Sequence, residues 1–158
     1  MILMEDGGCH SSFFCNFASG MDYKLNKSEK LTSRTAIERL FDEGKSLMAF
    51  PLRAAYRLRQ PGNAPVQFLI SIPKKRIRKA VTRVLLRRRT REAYRLNRHE
   101  LLTNILDEQG IGVDIAFVYL DSTAAPYEVI NEKMIHLLSR IAQAVMEEQQ
   151  PPCQSDVK

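Results

Sequence analysis

Six arginines, Arg83, Arg87, Arg88, Arg91, Arg95 and Arg98, recur at three- and four-residue spacings, and Lys74, Lys75, Arg76, Arg78 and Lys79 precede them. A guanidinium group is a planar fork that binds two oxygens of a phosphate at once, a task a lysine ammonium does less well. Residues 74–98 hold 12 of the 24 Lys and Arg residues and one acid, Glu92, a local balance of +11, whereas the other 133 residues balance at −5. A block of like charge repels itself and calls for a polyanion. Nucleic acid, an acidic membrane surface and an acidic protein are the candidates.

Residue types that could make or break bonds are sparse. The histidines are His10, His99 and His136. His10 is in the N-terminal tail, His99 has no metal-ligand partner at helical spacing, and His136 falls near the inward face of the last helix, where a core role is expected. Cys9, Cys15 and Cys153 lie near the chain ends, odd in number and without a CxxC pair, so neither a disulfide framework nor a zinc knuckle is expected. Asp42-Glu43 and Asp107-Glu108 sit near helix ends, where solvation explains them. There is no Gly-rich phosphate loop, nucleophile elbow or zinc signature. The expectation is a chain with no catalytic residue and no metal ligand of its own, which contributes binding and positioning.

The elements that position the arginines read as follows. At 158 residues the chain is long enough for one domain with tails. Residues 1–24 lack a sustained apolar period and are expected to be a dispensable extension; 25–148 form the domain, and 149–158 a polar tail. Glu5 and Asp6 stand where a secretory signal needs positive charge, and no apolar run reaches the roughly 20 residues of a membrane span, so a cytoplasmic protein is expected. The spacing of Ile37, Leu40 and Phe41 predicts a helix over 33–43, capped by Thr32 or Ser33 and stopped at Gly44. Short strands are predicted over 46–48 and 52–59, the second with Arg53, Arg57 and Arg59 on one face. Residues 66–72 are apolar almost throughout, which predicts a central strand. A helix over 79–97, a shorter one ending at Gly110, a strand over 113–120 and a last helix over 126–148 complete the order. The last helix turns Ile130, Met134, Leu137, Leu138, Ile141 and Val145 inward. The result is a single α+β domain of order αβββαβα.

At about 100° per residue the six arginines fall within an arc of roughly 140° on the helix over 79–97, and Leu85, Leu86, Ala93 and Leu96 fall opposite. The expected arrangement is an apolar face on the sheet and a cationic ridge outside. Arg89 points into the apolar arc, where it must snorkel or pair with a carboxylate such as Asp114. A merely solvated face would interleave acids, and only Glu92 is there. A membrane-surface helix needs large apolar residues for insertion, and its apolar face here is modest and wanted by the core. A basic-zipper DNA reader needs a heptad extension, and none follows. RNA, read by shape and phosphate, fits best.

The runs Ser71-Ile72-Pro73-Lys74-Lys75, Ala80-Val81-Thr82-Arg83 and Arg87-Arg88-Arg89-Thr90-Arg91-Glu92-Ala93-Tyr94-Arg95 resemble the protein subunit of bacterial ribonuclease P. The likeness extends over about 25–148, including Phe41 and Gly44-Lys45-Ser46. It implies a fold like domain 2 of ribosomal protein S5, with a left-handed crossover through the Arg-rich helix. It also implies two RNA partners, a catalytic RNA subunit and precursor tRNA, with no DNA or membrane partner. The reaction is endonucleolytic removal of the tRNA 5′ leader, with the chemistry and its Mg2+ in the RNA and no cofactor on the protein. Lys74, Lys75, Arg78, Lys79, Arg83, Arg87, Arg88, Arg91 and Arg95 are the implied RNA contacts, and Ile37, Phe41, Arg53 and Arg57 the implied leader cleft. Two departures stand out. The family's Arg-Asn-Arg reads Arg83-Val84-Leu85, and its first aromatic on the opening helix is Ile37. A ribosome-associated RNA-binding protein is the alternative.

The pattern predicts that a chain beginning at Met21 keeps its melting temperature and activity. A drop of several degrees in thermal unfolding would place Phe13, Phe14 or Phe17 on the domain.

Overall fold

The computed structural model describes residues 24–60, 62 and 64–148. The expected extension and tail therefore lie outside the described residues, except Lys24. The helices are α1 (Arg34–Glu43), α2 (Ala80–Arg98), α3 (Asn104–Gln109) and α4 (Tyr127–Glu147), and the strands are β1 (Lys45–Ala49), β2 (Leu52–Arg59), β3 (Val66–Ser71) and β4 (Gly112–Tyr119). The αβββαβα order holds, with α3 as an added turn joined to α2 through a single π-helical stretch, His99–Thr103. No described helix is long and apolar enough to cross a membrane.

Local chemistry sets the ends. Ser33 caps α1, its hydroxyl accepting from the Ala36 amide at 3.5 Å, so it is Ser33 and not Thr32 that serves. Gly44 ends α1 by close approach, since a Cβ there would meet the Leu40 carbonyl oxygen at 2.1 Å. Gly110 closes α3 at φ 64°, the left-handed conformation that favours glycine.

The sheet order is β1-β2-β4-β3. β1 and β2, and β2 and β4, are antiparallel, and β3 runs parallel to β4. The expectation of a central strand at 66–72 is thus corrected: β4 is central and β3 lies at the edge. β3 reads as buried because Phe68 packs under the helices while Leu69 faces α1, and its outer edge is partly covered. Lys30 bridges Phe68, and the Leu31 amide donates to the Phe68 carbonyl at 3.0 Å.

One sheet face carries α2 and α4 over the main core. Tyr94 stands between Phe68 and Phe117, with ring centroids 4.3 and 5.7 Å away. The six inward residues expected on α4 are all buried, but His136 is exposed and not in the core. The other face carries α1 over a smaller cluster of Leu31, Leu40, Ala55 and Ala116.

α2 sits differently from the periodicity reading. Leu86, Thr90, Ala93, Tyr94 and Arg98 are buried, whereas Leu85 and Leu96 are exposed. The helix is turned by roughly a quarter of a revolution from the expected seating. Arg98, expected on the ridge, is buried: its guanidinium pairs with Glu29 and donates to the Lys24 carbonyl at 2.9 Å. Arg89 takes neither a snorkelling route nor Asp114. It donates to the Ala125 carbonyl at 2.6 Å, while Asp114 pairs with Arg59 at 2.9 Å. Burial pushes the Asp114 carboxyl up, against the pull of Arg59.

Removing one partner of a buried ion pair leaves the other charge without compensation, at a cost of about 3–5 kcal/mol. Arg98→Ala is expected to lower stability by that order in urea unfolding, and Glu29→Gln to weaken the same contact. A loss below about 1 kcal/mol for Arg98→Ala would mean that this pair is solvated.

Candidate nucleic-acid interface

The basic segment divides into committed and uncommitted cations. Arg83 is half-buried and donates to the carbonyls of Ile77 (2.9 Å) and Arg78 (2.6 Å), so it folds the 74–79 loop onto the start of α2. Arg95 forms a two-bond fork with Glu92, at 2.9 and 2.6 Å, which holds the Glu92 carboxyl below its usual range. Arg87, Arg88 and Arg91 are exposed, and within the described residues no hydrogen bond or ion pair engages their guanidinium groups. Lys74, Lys75, Arg78 and Lys79 are also exposed, beside the N-terminal end of α2. Nine expected RNA contacts therefore lie on one segment, but two of them, Arg83 and Arg95, hold the protein's own structure.

Arg87 and Arg91 border a groove of about 180 Å³ along the edge of β3, whose other walls are Lys30, Leu31, Thr32 and the stretch Phe68, Leu69 and Ile70. The periodicity reading missed Lys30 and Thr32. Lys30 belongs to a polar run with no period, and only its position before a capped helix hinted at a fixed place. What fixes it is the β-bridge to Phe68, together with the Arg98–Glu29 pair just upstream. The groove carries cations on two sides and aliphatic carbon on its floor, a combination suited to a phosphodiester strand.

The four residues expected to form a leader cleft are not all together. Ile37 is half-buried and packs on the Leu31, Leu40, Ala55 and Ala116 cluster. Phe41 is 49% exposed, so it is not core. Arg57 pairs with Glu43 at 2.9 Å. Phe41 and Glu43 stand about 200° apart around α1, so Arg57 is held on the flank of α1 away from Phe41. Arg53 is exposed and lies on the opposite side of Ala55 from Arg57, on the same sheet face. The structure thus leaves Phe41 and Arg53 open and occupies Arg57.

Among the described residues no group of three or more His, Cys, Asp or Glu side chains is placed to hold a metal ion. What the described surface of this segment offers is charge and shape.

The family model described as Ribonuclease P matches residues 25–142. The chain is 40% identical over 121 residues to the ribonuclease P protein component of Porphyromonas gingivalis, covering 76% of this chain and 88% of that one. It is 31% identical over 131 residues to the corresponding component of Chlorobium phaeobacteroides, covering 74% and 87%. The RNase P protein of Thermotoga maritima superposes with a TM-score of 0.57 at 26% identity, covering 71% of this chain and 96% of that structure. The Staphylococcus aureus RNase P protein shares the fold at 18% identity and a TM-score of 0.57, covering 74% and 97%.

If Arg87 and Arg91 meet phosphates, each lost contact removes roughly 0.7–0.9 from the slope of log affinity against log salt. Arg87→Ala with Arg91→Ala is expected to weaken RNA binding and flatten that slope, read in a filter-binding titration at several salt concentrations. An unchanged slope would show that both groups face only solvent.

Proposed function

The chain belongs to the family of bacterial ribonuclease P protein components, and on that premise we propose how its surface divides the work. It is a subunit of the endoribonuclease that matures the 5′ ends of tRNAs. In this reading the exposed cations of α2 and the 74–79 loop hold the catalytic RNA subunit. The sheet face covered by α1, with Phe41 exposed on α1 and Arg53 exposed on β2, receives the 5′ leader of precursor tRNA. The chemistry and the Mg2+ it uses belong to the RNA subunit. Such an assembly works on newly made tRNA, which puts the chain in the cytoplasm.

One observation carries the reading: Arg87, Arg88 and Arg91 stand exposed and unpaired on one helix, and two of them, Arg87 and Arg91, border the groove along β3. Three like charges on one face destabilise an isolated helix, and a polyanion removes that repulsion. The ribosome-associated alternative is not favoured, because the family match spans nearly the whole described domain.

Stacking one base on an aromatic ring contributes about 1–3 kcal/mol. Phe41→Ala is therefore expected to weaken binding of leader-bearing tRNA to the reconstituted complex by roughly ten-fold, the scale of 1.4 kcal/mol. Mature tRNA should bind as before, and the exposed position should leave the melting temperature unchanged. A destabilised variant that affects both RNAs alike would return Phe41 to the core and sink the cleft.

A further inference from the structure

The quarter-turn seating of α2 leaves aliphatic carbon where a phosphate-binding helix has no evident use for it. Val81, Val84 and Leu85 are 82%, 46% and 42% exposed. They fall at i, i+3 and i+4, so they form one patch on the first turns of the helix. Arg87 and Arg88 lie three and four residues beyond Val84 and continue the same exposed surface. Val84 and Leu85 are also the two positions where the chain departs from the Arg-Asn-Arg pattern of the proteins it resembles.

We propose that Val81, Val84 and Leu85 form an apolar contact for an unpaired nucleotide of the RNA subunit, read through the face of its base. The proposal rests on the reading that α2 faces that RNA. Charge and continuity select the occupant. The patch is bordered by Arg87 and Arg88 within a segment of net charge +11, so whatever covers it lies in a strongly positive field. A second copy of the chain would bring the same positive segment and be repelled. A stacked RNA duplex presents phosphates and ribose and would leave the aliphatic groups without a partner. An unstacked base offers an apolar face while its own phosphates meet Arg87 and Arg88. The patch then supplies discrimination among RNAs, and the neighbouring cations supply attraction.

The two contributions differ in their response to salt. Cation–phosphate contacts release counterions and set the slope of log affinity against log salt, whereas an aliphatic contact releases none. The test compares wild type with V84A/L85A, a change that keeps the helix well disposed. Both bind the RNA subunit transcribed from the same genome and, as the control probe, a plain RNA duplex. V84A/L85A is expected to bind the RNA subunit roughly ten-fold more weakly at every salt concentration, with the wild-type slope and melting temperature. The duplex should be bound as by wild type. Affinity for the subunit within about two-fold of wild type, or an equal loss on the duplex, would overturn the proposal. So would a free-protein oligomer, seen in analytical ultracentrifugation, that the substitutions dissolve. Failure of the wild-type protein itself to bind the RNA subunit would instead sink the underlying functional reading, whatever the variant does.

Discussion

A guanidinium buried at the C-terminal end of α2 decides which side of that helix meets water. Arg98 pairs with Glu29 and holds the Lys24 carbonyl, so one contact joins the end of α2 to the segment that leads into α1. Two consequences follow. The helix is seated with Thr90, Ala93 and Tyr94 against the core, which turns Arg87, Arg88 and Arg91 outward. The chain upstream of α1 is drawn along β3, where Lys30 and Thr32 become the wall opposite Arg87 and Arg91. Groove, ridge and exposed patch all depend on that seating.

Small and aromatic residues make the seating possible. Thr90 and Ala93 let α2 approach the core closely, and the Thr90 hydroxyl donates back to the Leu86 carbonyl at 2.9 Å, which satisfies it without water. Tyr94 fills the space between Phe68 and Phe117, and burial pushes its phenol well above the usual range. On the other side of the sheet Ala55 and Ala116 let α1 lie close, with Leu40 fully buried. That contact leaves Phe41 at the rim, and Glu43 on the opposite flank captures Arg57.

Much of this was legible in the residues. The element order, the ends at Ser33, Gly44 and Gly110, and the inward face of α4 followed from capping chemistry and period. The concentration of charge in 74–98 marked the segment on which the exposed Arg87, Arg88 and Arg91 stand. What misled is equally specific. A hydropathy wheel puts Leu85 and Leu96 inside and Arg98 outside, because it has no term for a carboxylate 69 residues away that pairs with that arginine. β3 reads as central because both of its faces are covered, although one of its edges pairs with no named strand and is met by the segment around Lys30 and Leu31. Arg83 and Arg95 resemble their free neighbours in sequence, and only the loop carbonyls and Glu92 separate them.

In the proposed division of labour the protein positions RNA and its RNA partner cleaves the bond. Reconstitution tests that division most directly: precursor tRNA is incubated with the purified protein, with the RNA subunit, and with both, at a low magnesium concentration. Efficient release of the intact 5′ leader by the mixture, little by the RNA alone and none by the protein alone is the predicted result. Leader release by repurified, RNA-free protein, or an RNA subunit that gains nothing from the protein, would contradict the account.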